Sequence, residues 1–309
     1  MKGNLLCLTA VLLSGLVFIG CGGSSDQTAE DTTTTKSVTV IDGRVDGAFV
    51  FADCNGDRKF DTGEPYTHSV KGIADLKIPA TCSYKEIIAV MDNATDIDFN
   101  TKVNGALIAS ANASIVSPIT TLLAVDSNVK ETLENLGIKD PETFNYVEEW
   151  GNITDSAKAL IAGTIGAINI VGKSIEDEKI EAIAELTNNL SENLIKAANV
   201  TNSTNEIVDS VVDAIQNVKL VANETLIANE TIILSNIQDL TTAAINSGSI
   251  GDLAEAVNDT VSFLYDYFNE TVNETLEIVN GTFDSLNGTV NGTLDSLNGT
   301  LSGGVYPAP

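Results

Sequence analysis

The chain has one histidine, His68, and one tryptophan, Trp150, in 309 residues. A hydrolytic triad needs a base held beside its nucleophile, and a lone histidine among turn residues reads as a surface side chain. Cysteines number four, and no Cys/His set has the spacing of a zinc site. Aromatic residues make up 5% of the chain, which argues against an aromatic-lined sugar cleft. Basic residues are scarce: 16 Lys and Arg against 43 Asp and Glu leave a net charge of −27. Such a surface repels nucleic acid and anionic lipid and attracts cations. No Gly-rich phosphate loop follows a strand-like run, and acidic pairs are too numerous to single out a glycosidase dyad. The chain therefore reads as non-enzymatic. Beyond the N-terminus the longest apolar run is Ala159–Gly172, fourteen residues that include Asn169. That is too short for a membrane span and reads as a buried helix.

What is present begins with the first 21 residues. Met1-Lys2 precedes an apolar run from Leu5 to Ile19, and Gly20-Cys21 follows. This is a short basic segment, a signal-length apolar segment and a small residue before cysteine. Phe18-Ile19-Gly20-Cys21 resembles a prokaryotic lipobox, with Phe18 where Leu is preferred. The resemblance implies that Cys21 is lipidated and becomes the mature N-terminus, placing the protein at the bacterial outer membrane or the archaeal cytoplasmic membrane. The competing reading is an ordinary secretory signal. Residues 22–37 are Gly-, Ser-, Thr- and acid-rich and read as a flexible tether. Cys54 and Cys82 remain, and in an exported domain they are expected to form a disulfide. Closing that loop would contribute roughly 3 kcal/mol.

The fold class expected is α+β. From about residue 38 to 116, short β-rich runs alternate with turn pairs such as Asp42-Gly43, Lys71-Gly72 and Asn104-Gly105. These read as a small β-sandwich. After Pro118 the apolar spacing becomes helical, near 119–136, 154–172, 176–198, 205–221 and 223–246, giving a helical region over 117–250. Residues 251–301 carry a stripe from Val257 through Val261, Leu264, Phe283, Leu286 and Val290 to Leu301, and residues 302–309 are a tail. Its mean spacing, 44 residues in twelve steps, is close to an eleven-residue repeat and predicts a long amphipathic helix in straight or slightly right-handed association. Gly281, Gly288, Gly292 and Gly299 each weaken such a helix by about 1 kcal/mol. It needs a partner surface, either its own helical domain or another copy.

One cluster carries chemistry. Asp53, Asn55, Asp57, Asp61 and Glu64 stand at positions 1, 3, 5, 9 and 12 of a twelve-residue stretch, and Lys59 at position 7 offers its carbonyl. That is the oxygen spacing of a calcium loop. Position 6, ordinarily Gly for the sharp turn, is Arg58. Strand-like runs flank the loop, where an EF-hand has helices. Residues 47–57 and Asp61-Thr62-Gly63-Glu64-Pro65 resemble the B-type repeat domains of bacterial surface proteins. The resemblance implies a prealbumin-like sandwich with structural calcium in this loop. A narrower likeness is to surface lipoproteins carrying Val40-Ile41-Asp42-Gly43, the 53–65 loop and Ser117-Pro118-Ile119-Thr120-Thr121-Leu122. It covers roughly residues 38–125 and implies an anchored, adhesin-like or structural protein.

Asn-x-Ser/Thr occurs fifteen times, nine of them from residue 223 onward: Asn223, Asn229, Asn258, Asn269, Asn273, Asn280, Asn287, Asn291 and Asn298. This is either an N-glycosylated flank or a polar face of Asn and Thr. None has the acidic residue two positions earlier that the bacterial extended sequon requires, whereas the short sequon suffices in archaea.

Two functions compete. One is a lipid-anchored, calcium-stabilised structural or adhesive surface protein whose C-terminal helix packs on itself or on another surface protein. The other is a binding module for a glycan or peptide, with the helical region as spacer.

Overall fold

The computed structural model describes residues 33–175, 178–197, 203–218, 230–253, 256–264, 266–267 and 281–293. Cys21 and the signal-type segment lie outside them. The fold is α+β, strands first and helices after.

Strand β1 (Thr33–Val40) pairs antiparallel with β5 (Ile73–Pro79) from Thr33 to Thr39 and parallel with the short β10 (Ile115–Val116). β1 begins inside the stretch expected as tether, because the β-branched run Thr33-Thr34-Thr35 extends the ladder opposite Pro79, Ile78 and Lys77. A four-stranded antiparallel sheet runs β4 (Tyr66–His68), β3 (Phe49–Asp53), β6 (Glu86–Val90), β9 (Ala106–Ser110). A small third sheet joins β2 (Val45–Asp46), β7 (Ala94–Asp96) and β8 (Thr101–Val103).

β5 alternates cleanly, with Ala74, Leu76 and Ile78 buried and Ile73, Asp75 and Lys77 exposed. β3, β6 and β9 do not alternate, because their sheet is covered on both faces. Val50, Ala52, Ile87, Ala89, Leu107 and Ala109 join the main core. Phe51, Ile88 and Ile108 face the other way, against Ala124, Val125, Ile180 and Ala184 of the helices.

The helices are α1 (Pro118–Val125), α2 (Lys130–Asn135), α3 (Tyr146–Glu149), α4 (Asp155–Ser174), α5 (Lys179–Ala197), α6 (Thr204–Gln216) and α7 (Glu230–Asn246). The helix expected over 119–136 is interrupted at Asp126, whose carboxylate accepts from Asn128 N and starts a 3₁₀ turn. α4 is buried without a break from Ala157 to Gly172, as a helix apolar on every side must be. Among the described residues no helix is long and apolar enough to cross a membrane. Gly163 and Gly166 let Val211 of α6 and Leu240 of α7 pack directly on the α4 backbone. One core runs from Val38 to Leu264. A buried node closes its far end: Trp150 Nε1 donates to Ser247 Oγ (2.8 Å) and Lys158 Nζ to the Ser247 carbonyl (3.1 Å).

The C-terminal stripe divides in two. Residues 256–264 are helical, and their Val257, Val261 and Leu264 are part of the core. Residues 281–293 are also helical, but every one is exposed, including Phe283, Leu286 and Val290.

α4 enters the strand region at Gly172. A Cβ there would lie 2.2 Å from Gly105 Cα and 2.4 Å from Gly105 N, so neither neighbour has room to yield. Gly172→Ala is expected to cost about 3 kcal/mol. Gly288→Ala, with nothing within 4 Å of its Cβ, is expected to gain about 1 kcal/mol of helix propensity locally. Paired urea melts with helix content by circular dichroism check both signs.

Candidate functional site

The loop after β3 is held by its own acidic ends. Asp53 is fully buried and accepts from Gly56 N (2.6 Å) and Arg58 N (2.9 Å). Glu64 is buried and accepts from Cys54 N (2.7 Å) and Asp61 N (3.1 Å). Between them Asn55 Nδ2 donates to Asp57 Oδ2 (3.0 Å) and Asp61 Oδ2 (2.8 Å), while Asn55 Oδ1 accepts from Asp57 N. Lys59 N donates to Asp57 Oδ1 (2.8 Å).

Arg58 makes the sharp turn that glycine was expected to make. Its φ is +60°, the left-handed region that costs a side-chain-bearing residue about 1 kcal/mol. The Asp53 bond to its amide offsets that cost, and its guanidinium bonds both oxygens of Glu86, at the start of β6 (2.8 and 2.7 Å).

Three further ties dock the loop on the body. A disulfide joins Cys54 to Cys82, with Cα atoms 5.2 Å apart. Lys59 pairs with Glu181 of α5 (3.1 Å). Phe60 seats its ring edge-on to Phe49 (5.0 Å), Phe51 (5.6 Å) and Tyr66 (5.3 Å), and the only histidine, His68, stands 5.4 Å from Phe49 on edge strand β4. Asp53, Asn55, Asp57, Asp61 and Glu64 are thus brought into one loop. Most of their oxygens accept from N–H groups, and among the described residues no three His, Cys, Asp or Glu side chains converge as a metal cage. The donor types fit a hard cation. The side-chain orientations do not yet present them to one point, and Asn55 turns a nitrogen, not its oxygen, toward the two carboxylates.

The sequon residues Asn258, Asn287 and Asn291 are exposed, and Asn258 Oδ1 accepts from Thr101 Oγ1 (2.9 Å). Asn223, Asn229, Asn269, Asn273, Asn280 and Asn298 lie outside the described residues.

A second polar cluster was not singled out from the sequence. Asp42 is fully buried where the strands meet α4. Its Oδ2 accepts from Asn169 Nδ2 (2.9 Å), and its Oδ1 has no partner among the described residues. Tyr146 OH donates to the carbonyls of Ile41 (3.0 Å) and Asp42 (3.1 Å). Asp96, also buried, accepts from the amides of Gly43, Asp98 and Phe99. A Cβ on Gly43 would lie 2.5 Å from Asp96 Oδ1, so only glycine fits there. Asp98 takes Arg44 through both its backbone N (2.8 Å) and Nε (3.0 Å). The signal available in the sequence was the Asp42-Gly43 turn pair between two strand-like runs.

The second motif is equally structural. Ser117 caps α1 in a reciprocal box with Thr120, Pro118 occupies the first turn, and Ile119 and Leu122 are buried. Thr121 Oγ1 donates to the Ser117 carbonyl (2.7 Å) and accepts from Ile108 N (2.9 Å), bonding α1 to β9.

No protein-family model matches the chain, and no curated protein or solved structure matches it.

Burial, with Asp96 nearby, pushes the Asp42 carboxyl up to about 8, against the pull of the Asn169 bond. Burial also raises Asp96 to about 6, partly offset by its three amide donors. An acid whose folded value is raised stays protonated while the unfolded chain ionises. Its contribution is therefore complete below about pH 4 and is lost as pH rises toward 8. Asp42→Asn keeps an oxygen for Asn169 and removes the ionisation. The melting temperature of the parent is expected to fall by on the order of 5 °C or more between pH 5 and 8 relative to that of Asp42→Asn, read by calorimetry of both across that range.

Proposed function

We propose that this chain is an exported, lipid-anchored surface protein with a structural or adhesive role, calcium-stabilised and non-enzymatic. The observation that carries the reading is helix 281–293. All thirteen residues are exposed and an apolar seam of Phe283, Leu286 and Val290 runs along it. A helical segment with glycines at 288 and 292 is marginal in water unless that seam is covered. The eleven-residue period favours another copy of the same helix as its cover. The Cys54–Cys82 disulfide supports an oxidising compartment, in keeping with the lipobox-like Cys21. The strands of residues 33–116, in three sheets whose buried side chains share one core, support a prealbumin-like sandwich, and the 53–64 loop supports calcium. To load, Asn55 would turn its amide so that Oδ1 joins Asp57 and Asp61, with Asp53, Glu64 and the Lys59 carbonyl completing the set. The ion would fix the loop, and its binding energy would add to folding energy.

A second reading, a binding module, is favoured by one feature: a polar cavity of about 760 Å³ between the β7–β8 hairpin, the end of α4 and residues 257–262.

Calcium is expected to raise the melting temperature. Asp53→Ala with Glu64→Ala abolishes that rise, but it also strips four backbone amides of their acceptors, so Asp57→Asn with Asp61→Asn is the cleaner variant. Equal melting in calcium and in chelator would overturn the site. Self-association is expected at micromolar concentration in sedimentation velocity, and deletion of 281–309 or Leu286→Asp with Val290→Asp should remove it. The truncation stops at 281 because Val257, Val261 and Leu264 belong to the core. A parent chain that stays monomeric at all concentrations would count against the seam.

A further inference from the structure

Gly288 and Gly292 have no packing reason to be glycine. Gly43, Gly105 and Gly172 are each required by a neighbour that a Cβ would strike. Gly288 and Gly292 have nothing within 4 Å of a Cβ, and neither has a positive φ. Each weakens the helix and gains nothing in contact. Each also follows an asparagine, as Asn287-Gly288 and Asn291-Gly292. What glycine alone gives that asparagine is a neighbouring backbone nitrogen with no side chain to shield it.

Such a nitrogen can react with the asparagine amide. Gly288 N attacks Asn287 Cγ and closes a succinimide ring. The new C–N bond replaces the bond from Cγ to Nδ2, and the asparagine nitrogen leaves as ammonia, carrying the equivalent of the proton that the glycine N–H loses. Water then opens the ring at either carbonyl and yields aspartate or isoaspartate. Water is the only co-reactant, and nothing is oxidised. Gly292 stands to Asn291 in the same way.

Helical backbone angles hold the two reacting atoms apart, so the reaction requires local opening. Residues 281–293 are all exposed, and a helix with so little covered surface opens at small cost. The Asn-Gly pairs of the body are held instead. Asn55 bonds Asp57 and Asp61 through both side-chain polar atoms, and Gly56 N donates to Asp53. Asn104 accepts from Asn93 N (3.2 Å) and donates its own N to Asn169 (2.9 Å), while Gly105 is pressed against Gly172.

The consequence of reaction falls on the apolar seam. Asn287 and Asn291 directly follow Leu286 and Val290 and lie one turn apart on one flank, with Asn291 Nδ2 3.5 Å from Asn287 Oδ1. Carboxylates at that spacing repel each other, and isoaspartate adds a carbon to the main chain and breaks the helical register. A copy whose helix is covered by a partner stays closed and is spared, because binding to the closed form lowers the population of the open one.

We propose that Asn287 and Asn291 are self-modification sites: uncovered copies convert to acids beside the seam and lose the capacity to associate, and associated copies are protected. The inference rests on the self-association reading and adds its regulation.

The test is peptide mass spectrometry of the full chain during incubation at mildly alkaline pH. The chain is made in cells without N-glycosylation, so that Nδ2 carries no sugar. Asn287 and Asn291 are expected to convert at least tenfold faster than Asn55 and Asn104 in the same molecule. Leu286→Asp with Val290→Asp keeps both Asn-Gly pairs and removes the seam, and it should convert several-fold faster than the concentrated parent. Gly288→Ala with Gly292→Ala should convert at least tenfold more slowly. In sedimentation velocity, Asn287→Asp with Asn291→Asp should associate at least tenfold more weakly than the parent, and Asn287→Gln with Asn291→Gln should associate as the parent does. Conversion no faster at 287 and 291 than at 55 and 104 would overturn the proposal, as would aspartate variants that associate like the parent. A parent that converts at both sites yet stays monomeric at every concentration would overturn the seam and the switch together and leave two modification sites.

Discussion

The arrangement of strands and helices depends on one close approach. Helix α4 reaches the β8–β9 turn only because Gly172 and Gly105 meet without a side chain between them. That contact brings Asn169 of α4 to Asn104 N and to the Asp42 carboxylate, residues 65 and 127 positions away in sequence. Asn169 therefore ties the β8–β9 turn and the end of β1 to the central helix with one amide. α4 is in turn the surface on which α6 and α7 lie through Gly163 and Gly166. A larger residue at 105 or 172 would move the helix off the turn and separate every one of these bonds.

Asp42 is the costly member of this joint. A buried carboxyl with one oxygen lacking a partner among the described residues lowers stability wherever the solvent favours its ionised form. An apolar residue there would avoid the cost, but it would leave one N–H of the Asn169 amide, whose nitrogen otherwise donates to the Ile165 carbonyl, without its carboxylate acceptor inside the core. A polar joint of this kind fixes register: Asn169 meets its two partners in one position of α4 only, whereas apolar contacts tolerate sliding.

Much of this was legible in the sequence where periodicity is strong. β5 alternates because one of its faces meets solvent, and α4 to α7 begin and end within a few residues of their apolar patterns, apart from the stretches outside the described residues. The 53–64 residues stood out as one loop, and the Cys54–Cys82 disulfide was expected. The short strands β2, β7 and β8 were not legible, since two or three residues carry no period and their pairing depends on Asp96 holding three amides. Nor was the division of the C-terminal stripe. Val257 and Val290 belong to the same spacing, and only the position of the body decides that one is buried and the other exposed. The motifs Val40–Gly43 and Ser117–Leu122 were read as marks of a family. In the fold they are mechanical parts, a glycine that admits Asp96 and a cap that bonds α1 to β9.

The divided stripe bears on how the energy of the molecule is distributed. Up to Leu264 the apolar seam is covered by the chain itself, and each large side chain buried there is worth about 1.5–3 kcal/mol. From Phe283 to Val290 the same pattern continues with half or more of each seam side chain in solvent, and Gly288 between them adds cost without packing. A segment with no external role would gain by losing Phe283 and Leu286 to polar residues, since exposed aromatic and aliphatic groups favour nonspecific association. Their regular spacing on one side of a helix, three and then four residues apart, is what a specific seam requires and what scattered surface hydrophobics lack. The body before residue 265 is self-sufficient in its core, and the helix after 280 is not. That asymmetry leaves the uncovered apolar seam on residues 281–293, while the loop and the disulfide tie down the strands.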